Sequence, residues 1–298
     1  MSRSLVVATA QYPIDWLDSF AAYEEKIADW VVGAVDDGAE LLVFPEYGAM
    51  ELASLAGAEI AGDLAGSLNA VSGFLEESDR LHEVMARIHG VHILAATGPR
   101  RAKSGRITNE AKLFAPNGEI GVQPKQIMTP FESDWGVVGV PGLKVFDIGK
   151  AKIGISICYD IEFPLIARAL AMAGAEVILA PSNTETKAGA WRVRTGARAR
   201  ALENQCWTVV SPTVGKADWS PVVDLNHGRA GIYGPPDRYF PESGILVEGE
   251  WDDPTWVIGE LNLDLVRQVR AHGNVRTFRD WTQQQGLGDL PQVDVVEL

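Results

Sequence analysis

The amino-acid sequence predicts an α/β layered fold. Short apolar runs rich in Val and Ile alternate with longer helical patterns through the first two thirds of the chain, the order that builds a sheet with helices packed on it. An Asn-Gly turn between two further apolar runs, and a second such pair across Gly149-Lys150, add hairpins, so the sheets are expected to be mixed. No linker, low-complexity tract or short-period repeat interrupts the 298 residues, and a single domain with an irregular C-terminal segment is the simplest account.

Leu5 to Ala10, Leu41 to Phe44 and Val91 to Thr97 read as buried strands, and the segments Trp16 to Val35 and Leu64 to Ile88 between them read as helices. Ala111 to Ala115, the Asn117-Gly118 turn and Glu119 to Val122 read as a hairpin, with Asn-Gly supplying the positive φ angles. Leu143 to Ile148 and Lys152 to Ile157 form the second pair. Pro164 suits the first turn of a helix that runs to a stop at Gly174. Val177 to Ala180 is a further strand, Trp191 to Asn204 a helix, and Cys206 to Val210 a strand behind it. From Ser211 to Pro254 the chain reads as loop-rich, with Pro235-Pro236 and many glycines.

Composition excludes several classes of function. With 40 acidic against 26 basic side chains the net charge is −14, which argues against general affinity for nucleic acid or anionic lipid. The apolar run in MSRSLVVATAQ is too short for a signal peptide, and no stretch approaches the roughly 18 apolar residues of a membrane helix. The two cysteines, Cys158 and Cys206, make no disulfide framework and point to a reducing, cytoplasmic setting with free thiols. GxxxxGK(S/T), HExxH, GxSxG and CxxC are all absent.

Three strand ends each deliver an ionisable or nucleophilic residue. In LLVFPEY a buried strand ends at Phe44-Pro45 and places Glu46 just beyond it, where functional side chains collect in open α/β sheets. In GISICYDIEFP an apolar strand runs into Cys158, and the helix that starts near Pro164 offers backbone N–H groups and a positive dipole end, both favourable to a thiolate. In QPKQIMTPFESDWG, Lys125 and Glu132 lie in a loop shaped by Pro124, Pro130 and Gly136, with Met128, Phe131 and Trp135 adding apolar bulk. Taken singly, each has an ordinary reading: a solvated carboxylate, a small buried hydrophobe, a surface ion pair. Cys206, inside CWTVV, fits core filling.

The order FPEY, PKQIMTPFE and CYDIEFP resembles the carbon–nitrogen hydrolase (nitrilase) superfamily, and WRVRTGARARALENQCW followed by SPTVG extends the likeness over nearly the whole chain. The resemblance implies an αββα sandwich with two mixed β-sheets, one carbon–nitrogen hydrolase domain over residues 1–298, and a homodimer or higher homo-oligomer. It maps a Glu–Lys–Cys triad with an additional Glu onto Glu46, Lys125, Cys158 and Glu132. Glu46 is then the general base, Lys125 and the Tyr159 backbone N–H the oxyanion stabilisers, and Cys158 the nucleophile of a thioester route that needs no metal or organic cofactor. Cys158-Tyr159-Asp160 stands where true nitrilases carry Cys-Trp-Glu, which favours an amide, ureido or carbamoyl substrate over a nitrile. The seven-residue step from Lys125 to Glu132 is one shorter than in some amidase members. Tyr47, Trp135, Tyr159, Asn183, Thr184 and Trp191 follow strands or motifs and are the expected substrate-facing set.

Three further features have bland readings. Lys187 to Arg200 is a basic island without an aromatic platform for nucleic acid. Its arginines are expected to pair with Asp160, Glu162 or Glu203 or to lie at a subunit interface, with Arg194 and Arg198 buttressing the nucleophile turn. His82, His89 and His92 do not share one face and no motif completes a metal site. Trp219, Trp251, Trp256 and Trp281 are equally consistent with core packing, a pocket rim, or a dimer interface formed by about residues 252–298.

Overall fold

The computed structural model describes residues 3–102 and 104–284. The first half carries β1 (Ser4–Pro13), α1 (Phe20–Asp36), β2 (Leu41–Val43), α2 (Ala58–Ala61), α3 (Leu64–His89), β3 (His92–Leu94), β4 (Pro99–Arg101), β5 (Ile107–Phe114), β6 (Ile120–Pro124), α4 (Pro130–Asp134) and β7 (Val145–Asp147). The second half carries β8 (Lys152–Ile155), α5 (Pro164–Met172), β9 (Val177–Ser182), α6 (Lys187–Asn204), β10 (Trp207–Lys216), β11 (Leu225–Asn226), β12 (Gly231–Tyr233), β13 (Ile245–Glu248), β14 (Thr255–Asn262), α7 (Asp264–His272) and α8 (Thr277–Asp280).

Pairing builds one sheet in the order β6-β5-β3-β2-β1-β14 and another in the order β7-β8-β9-β10-β12-β13. They join where β1 and β10 meet in parallel at Tyr12↔Thr213 and Pro13↔Val214, so the ladders are continuous as well as stacked. Side-chain alternation sorts the layers. In the first sheet Leu5, Val7, Leu41 and Val43 face the second sheet's core, while Ala8, Ala10, Tyr12 and Leu42 join a separate core with α1 and α3. A Cβ on Gly154 of β8 would lie 3.1 Å from Leu170 of α5, so that face packs on helix and Ile153 and Ile155 point the other way. The result is the helix–sheet–sheet–helix sandwich. Polar stitches cross between the sheets: Ser211 Oγ donates to the carbonyls of Ala10 and Val43 (2.9 Å each), and Thr9 Oγ1 donates to that of Val210 (2.8 Å).

Helix ends reflect local chemistry. Ser19 Oγ accepts from Ala22 N, so α1 starts there and not at Trp16; Thr186 likewise caps α6 and starts it four residues ahead of Trp191. Gly90, in the left-handed region, closes α3. The reading of Ser211 to Pro254 as loop-rich missed the end of β10 together with β11, β12 and β13. The segment from residue 252 onward holds β14, paired antiparallel with β1 from Ser4↔Asn262 to Gln11↔Thr255, and residues 285–298 lie outside the described part. Trp256 packs edge-on against Trp30 and Phe44, and Trp219 against Trp16, within this chain. No helix among the described residues is long and apolar enough to cross a membrane.

Strand direction fixes where loops can converge. β3, β2, β1, β10, β9 and β8 run parallel to one another, and β6, antiparallel to β5, shares their sense. Their carboxyl ends therefore open on one edge, which the amino end of β5 also reaches.

His82 is fully buried on α3 between Phe44 and Phe114; its Nδ1 donates to the Ser78 carbonyl (2.8 Å) and its Nε2 has no partner among the described residues. Burial lowers its pKa from the ordinary 6.5, against the opposing pull of the Ser78 carbonyl and Asp79. The unfolded chain then takes up this proton first, so the contribution of neutral His82 to stability is complete above about pH 6.5 and lost below it. His82→Leu should leave stability at pH 7.5 within about 1 kcal/mol of wild type. Urea denaturation at pH 7.5 and 5.5 should show a smaller acid-side loss in the variant than in wild type.

Candidate active site

Glu46 leaves the carboxyl end of β2 through Pro45, whose carbonyl accepts from Thr97 N (3.0 Å). Tyr47 comes next at φ 54°, a left-handed conformation that costs a bulky residue energy and needs external restraint. The restraint is present: its N–H donates to Thr97 Oγ1 (3.0 Å) and its hydroxyl to Glu132 Oε1 (2.9 Å). Glu51, in the turn that succeeds it, is clamped by the Tyr12 hydroxyl (2.5 Å) and Lys26 Nζ (2.6 Å), which fixes the loop from below.

Lys125 comes directly after β6, and its N–H donates to the Asn109 carbonyl on β5 (2.9 Å). Its Nζ lies between two carboxylates, 2.7 Å from Glu46 Oε1 and 2.6 Å from Glu132 Oε2, with all three side chains buried. Glu132 belongs to a capping box at the start of α4: Thr129 Oγ1 accepts from Glu132 N (3.3 Å), and Thr129 N and Oγ1 each donate to Glu132 Oε2 (3.0 Å). One carboxylate thus starts a helix and holds the lysine.

Cys158 ends the run after β8 at φ 46° and heads the turn Cys158–Glu162, whose first N–H groups have no helical acceptor. Its Sγ donates to the Asn183 carbonyl at 3.5 Å, and the Glu46 carboxylate lies near enough to raise the thiol's pKa. Asp160, within the same turn, accepts from the backbone N–H groups of Gln126 (3.0 Å) and Ile127 (2.9 Å). That contact locks the Cys158 turn to the lysine loop.

The electrostatics separate the two glutamates. Burial raises Glu46 to about 7, reinforced by the like charge of Glu132 and opposed by Lys125. Burial pushes Glu132 in the same direction, but Lys125 and donors from Thr129 and Tyr47 overcome it and hold it below the usual carboxylate range. Lys125 is pulled down by burial yet ends above its ordinary value because both carboxylates favour the ammonium. Burial and Glu46 push the Cys158 thiol well up, so the resting group is the thiol. Paired titratable groups driven apart in this way are what acid–base chemistry requires.

The other expected site residues scatter. Trp135 packs edge-on against Tyr47 (6.3 Å), and Tyr159 is half-buried against Phe163 (4.9 Å). Asn183 reaches the cluster through its backbone N–H, which donates to Glu46 Oε2 (3.1 Å); its side-chain amide is held by Thr213 and Asn226 (2.6 Å each). Thr184 Oγ1 donates to the His227 carbonyl (2.6 Å). Trp191 packs at a tilt against Trp251 (5.2 Å) and lines a surface groove of about 390 Å³ with Glu162, Arg192 and Thr195. Asp160 is not an arginine partner, since the lysine loop occupies it. Arg192 meets Glu162 (3.5 Å), Arg194 meets Glu248 (2.6 Å), and Arg200 meets Glu203 (2.9 Å). Arg200, and neither Arg194 nor Arg198, braces the turn, donating to the Ile161 and Glu162 carbonyls (3.2 Å each). Sequence reasoning missed Asn109, which donates to Glu46 Oε1 (2.9 Å) and Glu132 Oε1 (3.4 Å), and Thr129, which the T-x-x-E pattern signals. Among the described residues no group of three His, Cys, Asp or Glu is placed to hold a metal.

A family model described as carbon-nitrogen hydrolase matches residues 6–271. Probable hydrolase YhcX of Bacillus subtilis (strain 168) is 34% identical over 275 residues, 92% of this chain and 53% of that protein, so the chain spans about half the length of this relative. Deaminated glutathione amidase of Synechocystis sp. (strain PCC 6803 / GT-S) is 28% identical over 250 residues, 80% of this chain and 85% of the relative. The crystal structure of a carbon-nitrogen hydrolase from Helicobacter pylori G27 superposes with a TM-score of 0.77 at 18% identity, covering 95% of this chain and 96% of that one, a likeness of fold.

The two thiols should differ sharply. Cys206 is fully buried, and burial pushes it up to about 11, with no carboxylate in hydrogen-bond contact among the described residues. Iodoacetamide at pH 7.5 should label Cys158 and leave Cys206 intact, read by peptide mass; equal labelling would contradict an activated Cys158.

Proposed function

The chain belongs to the carbon–nitrogen hydrolase family, and from that premise we propose that it hydrolyses a small non-peptide amide or carbamoyl compound through a thioester on Cys158. The observation that carries the proposal is the buried Glu46–Lys125–Glu132 cluster set against the Cys158 thiol.

The chemistry rests on what each group has left to offer. Glu46 takes the Sγ proton, and the electron pair left on sulfur attacks the carbonyl carbon. Lys125 has three N–H donors, two held by Glu46 and Glu132, so the third is available to the developing oxyanion beside the Tyr159 backbone N–H. As the C–N bond breaks, the protonated Glu46 returns its proton to the departing nitrogen. Water, deprotonated by Glu46, then attacks the acyl carbon; the acid departs and the thiol is restored. Glu132 stays ionised and orients Lys125. Cys158-Tyr159-Asp160 favours an amide over a nitrile, and the amidase named among the relatives points the same way.

Cys158→Ala should abolish turnover without loss of the fold, and Lys125→Met should lower kcat/KM by about 10²–10³-fold or more. Intact-mass detection of an acyl adduct across amides, ureido compounds and nitriles identifies the acyl group; adducts from nitriles alone would overturn the amide reading, and undiminished hydrolysis in Cys158→Ala would overturn the mechanism. Because Glu46 must be ionised to accept the proton, kcat/KM should fall as pH drops through about 7. A profile flat from pH 5.5 to 8.5 would remove Glu46 as the base.

A further inference from the structure

Asn109 sits at the amino end of β5, buried, and its side chain reaches both carboxylates of the site. Its amide has only one workable orientation. Nδ2 lies 2.9 Å from Glu46 Oε1 and 3.4 Å from Glu132 Oε1, and only the N–H₂ end can donate to carboxylate oxygens. The other end, Oδ1, is buried with no hydrogen-bond partner among the described residues. A protein keeps an unsatisfied buried acceptor at a cost in stability, so the donor end has a use that the core does not supply.

That use is visible in the lone pairs of Glu46. Each carboxylate oxygen offers two acceptor positions. On Oε1 both are filled, by Lys125 Nζ at 2.7 Å and by Asn109 Nδ2 at 2.9 Å. On Oε2 one is filled, by the backbone N–H of Asn183 at 3.1 Å, and the other has no donor among the described residues. We propose that Asn109 is a positioning residue that, together with Lys125, occupies Oε1 of Glu46 and leaves Oε2 as the oxygen that exchanges the proton with Cys158. The Sγ–H bond breaks, the proton bonds to Oε2, and the electron pair stays on sulfur for the attack. The inference rests on Glu46 as the base.

An N–H donated to the ionised carboxylate favours that form, so Asn109 opposes the rise that burial imposes on Glu46. The charged or titratable groups facing Glu46 are Tyr47 beside it, Lys125 and Glu132 from the segment after β6, and Cys158 from the turn after β8. An Asn109 substitution keeps all four of these groups and removes the 2.9 Å hydrogen bond to Glu46 and the longer one, 3.4 Å, to Glu132.

The test is the pH dependence of Cys158 carbamidomethylation by iodoacetamide, read by peptide mass, in wild type, Asn109→Ala, Asn109→Ser and Glu46→Gln, with melting curves for each. This readout needs no known substrate. The wild-type rate should rise through about pH 7. In the Asn109 variants the midpoint should move to higher pH by about one unit, a roughly fivefold slower reaction at pH 7 that converges with wild type at pH 9. An unmoved midpoint in folded Asn109 variants, with the step absent from Glu46→Gln, would overturn the role of Asn109 and leave the base intact. A wild-type step in Glu46→Gln would overturn the base and the inference with it. Loss of the folded state in both Asn109 variants would make the side chain structural and also overturn the proposal.

Discussion

The site depends on one buried ammonium. Lys125 lies between Glu46 and Glu132 at 2.7 and 2.6 Å, with all three excluded from water. Two carboxylates this close would repel one another, and burial alone would drive both towards protonation. The lysine keeps Glu132 ionised and limits the rise on Glu46, so one acid is a fixed counter-charge and the other titrates at about 7. Removing a partner from such a cluster typically costs about 3–5 kcal/mol, because the remaining charge is left buried without compensation. The neighbouring contacts of Tyr47, Thr129, Asn109 and Asn183 make that burial tolerable.

Strand direction brings these groups together. Glu46, Lys125, Cys158 and Asn183 lie just past the carboxyl ends of β2, β6, β8 and β9, strands of one sense that open on a shared edge. Asn109 arrives from the opposite sense, at the amino end of β5. Asp160 then ties the cysteine turn to the lysine loop through two backbone N–H groups, so Cys158 and Lys125 share a frame although they come from different sheets.

Much of this was legible in the sequence, and the exceptions have physical causes. Apolar runs such as LLV and VILA are buried on both faces, so β2 and β9 were readable. β14 was not: TWVIGELN places Gly and Glu mid-strand, and its partner β1 lies at the far end of the chain, where local pattern carries no information about pairing. The four residues taken from the resemblance are brought to one edge, whereas Trp191 lines a groove on α6, because a position just after a motif says little about which way a helix turns it. Asn109 gave no signal because a polar residue within a strand looks like one that faces solvent. Its value comes from carboxylates that are distant in sequence.

The antiparallel pairing of β1 with β14 also bears on biosynthesis. β1, Ser4–Pro13, leaves the ribosome well before the neighbour on one of its edges, Thr255–Asn262. Contacts of such long sequence separation form slowly, and an uncovered apolar strand edge is a hazard until they do. The sheet that supports Glu46 is therefore complete only after β14 has been synthesised. The nascent polypeptide carries Cys158 long before β14 closes the sheet from which Glu46 reaches it.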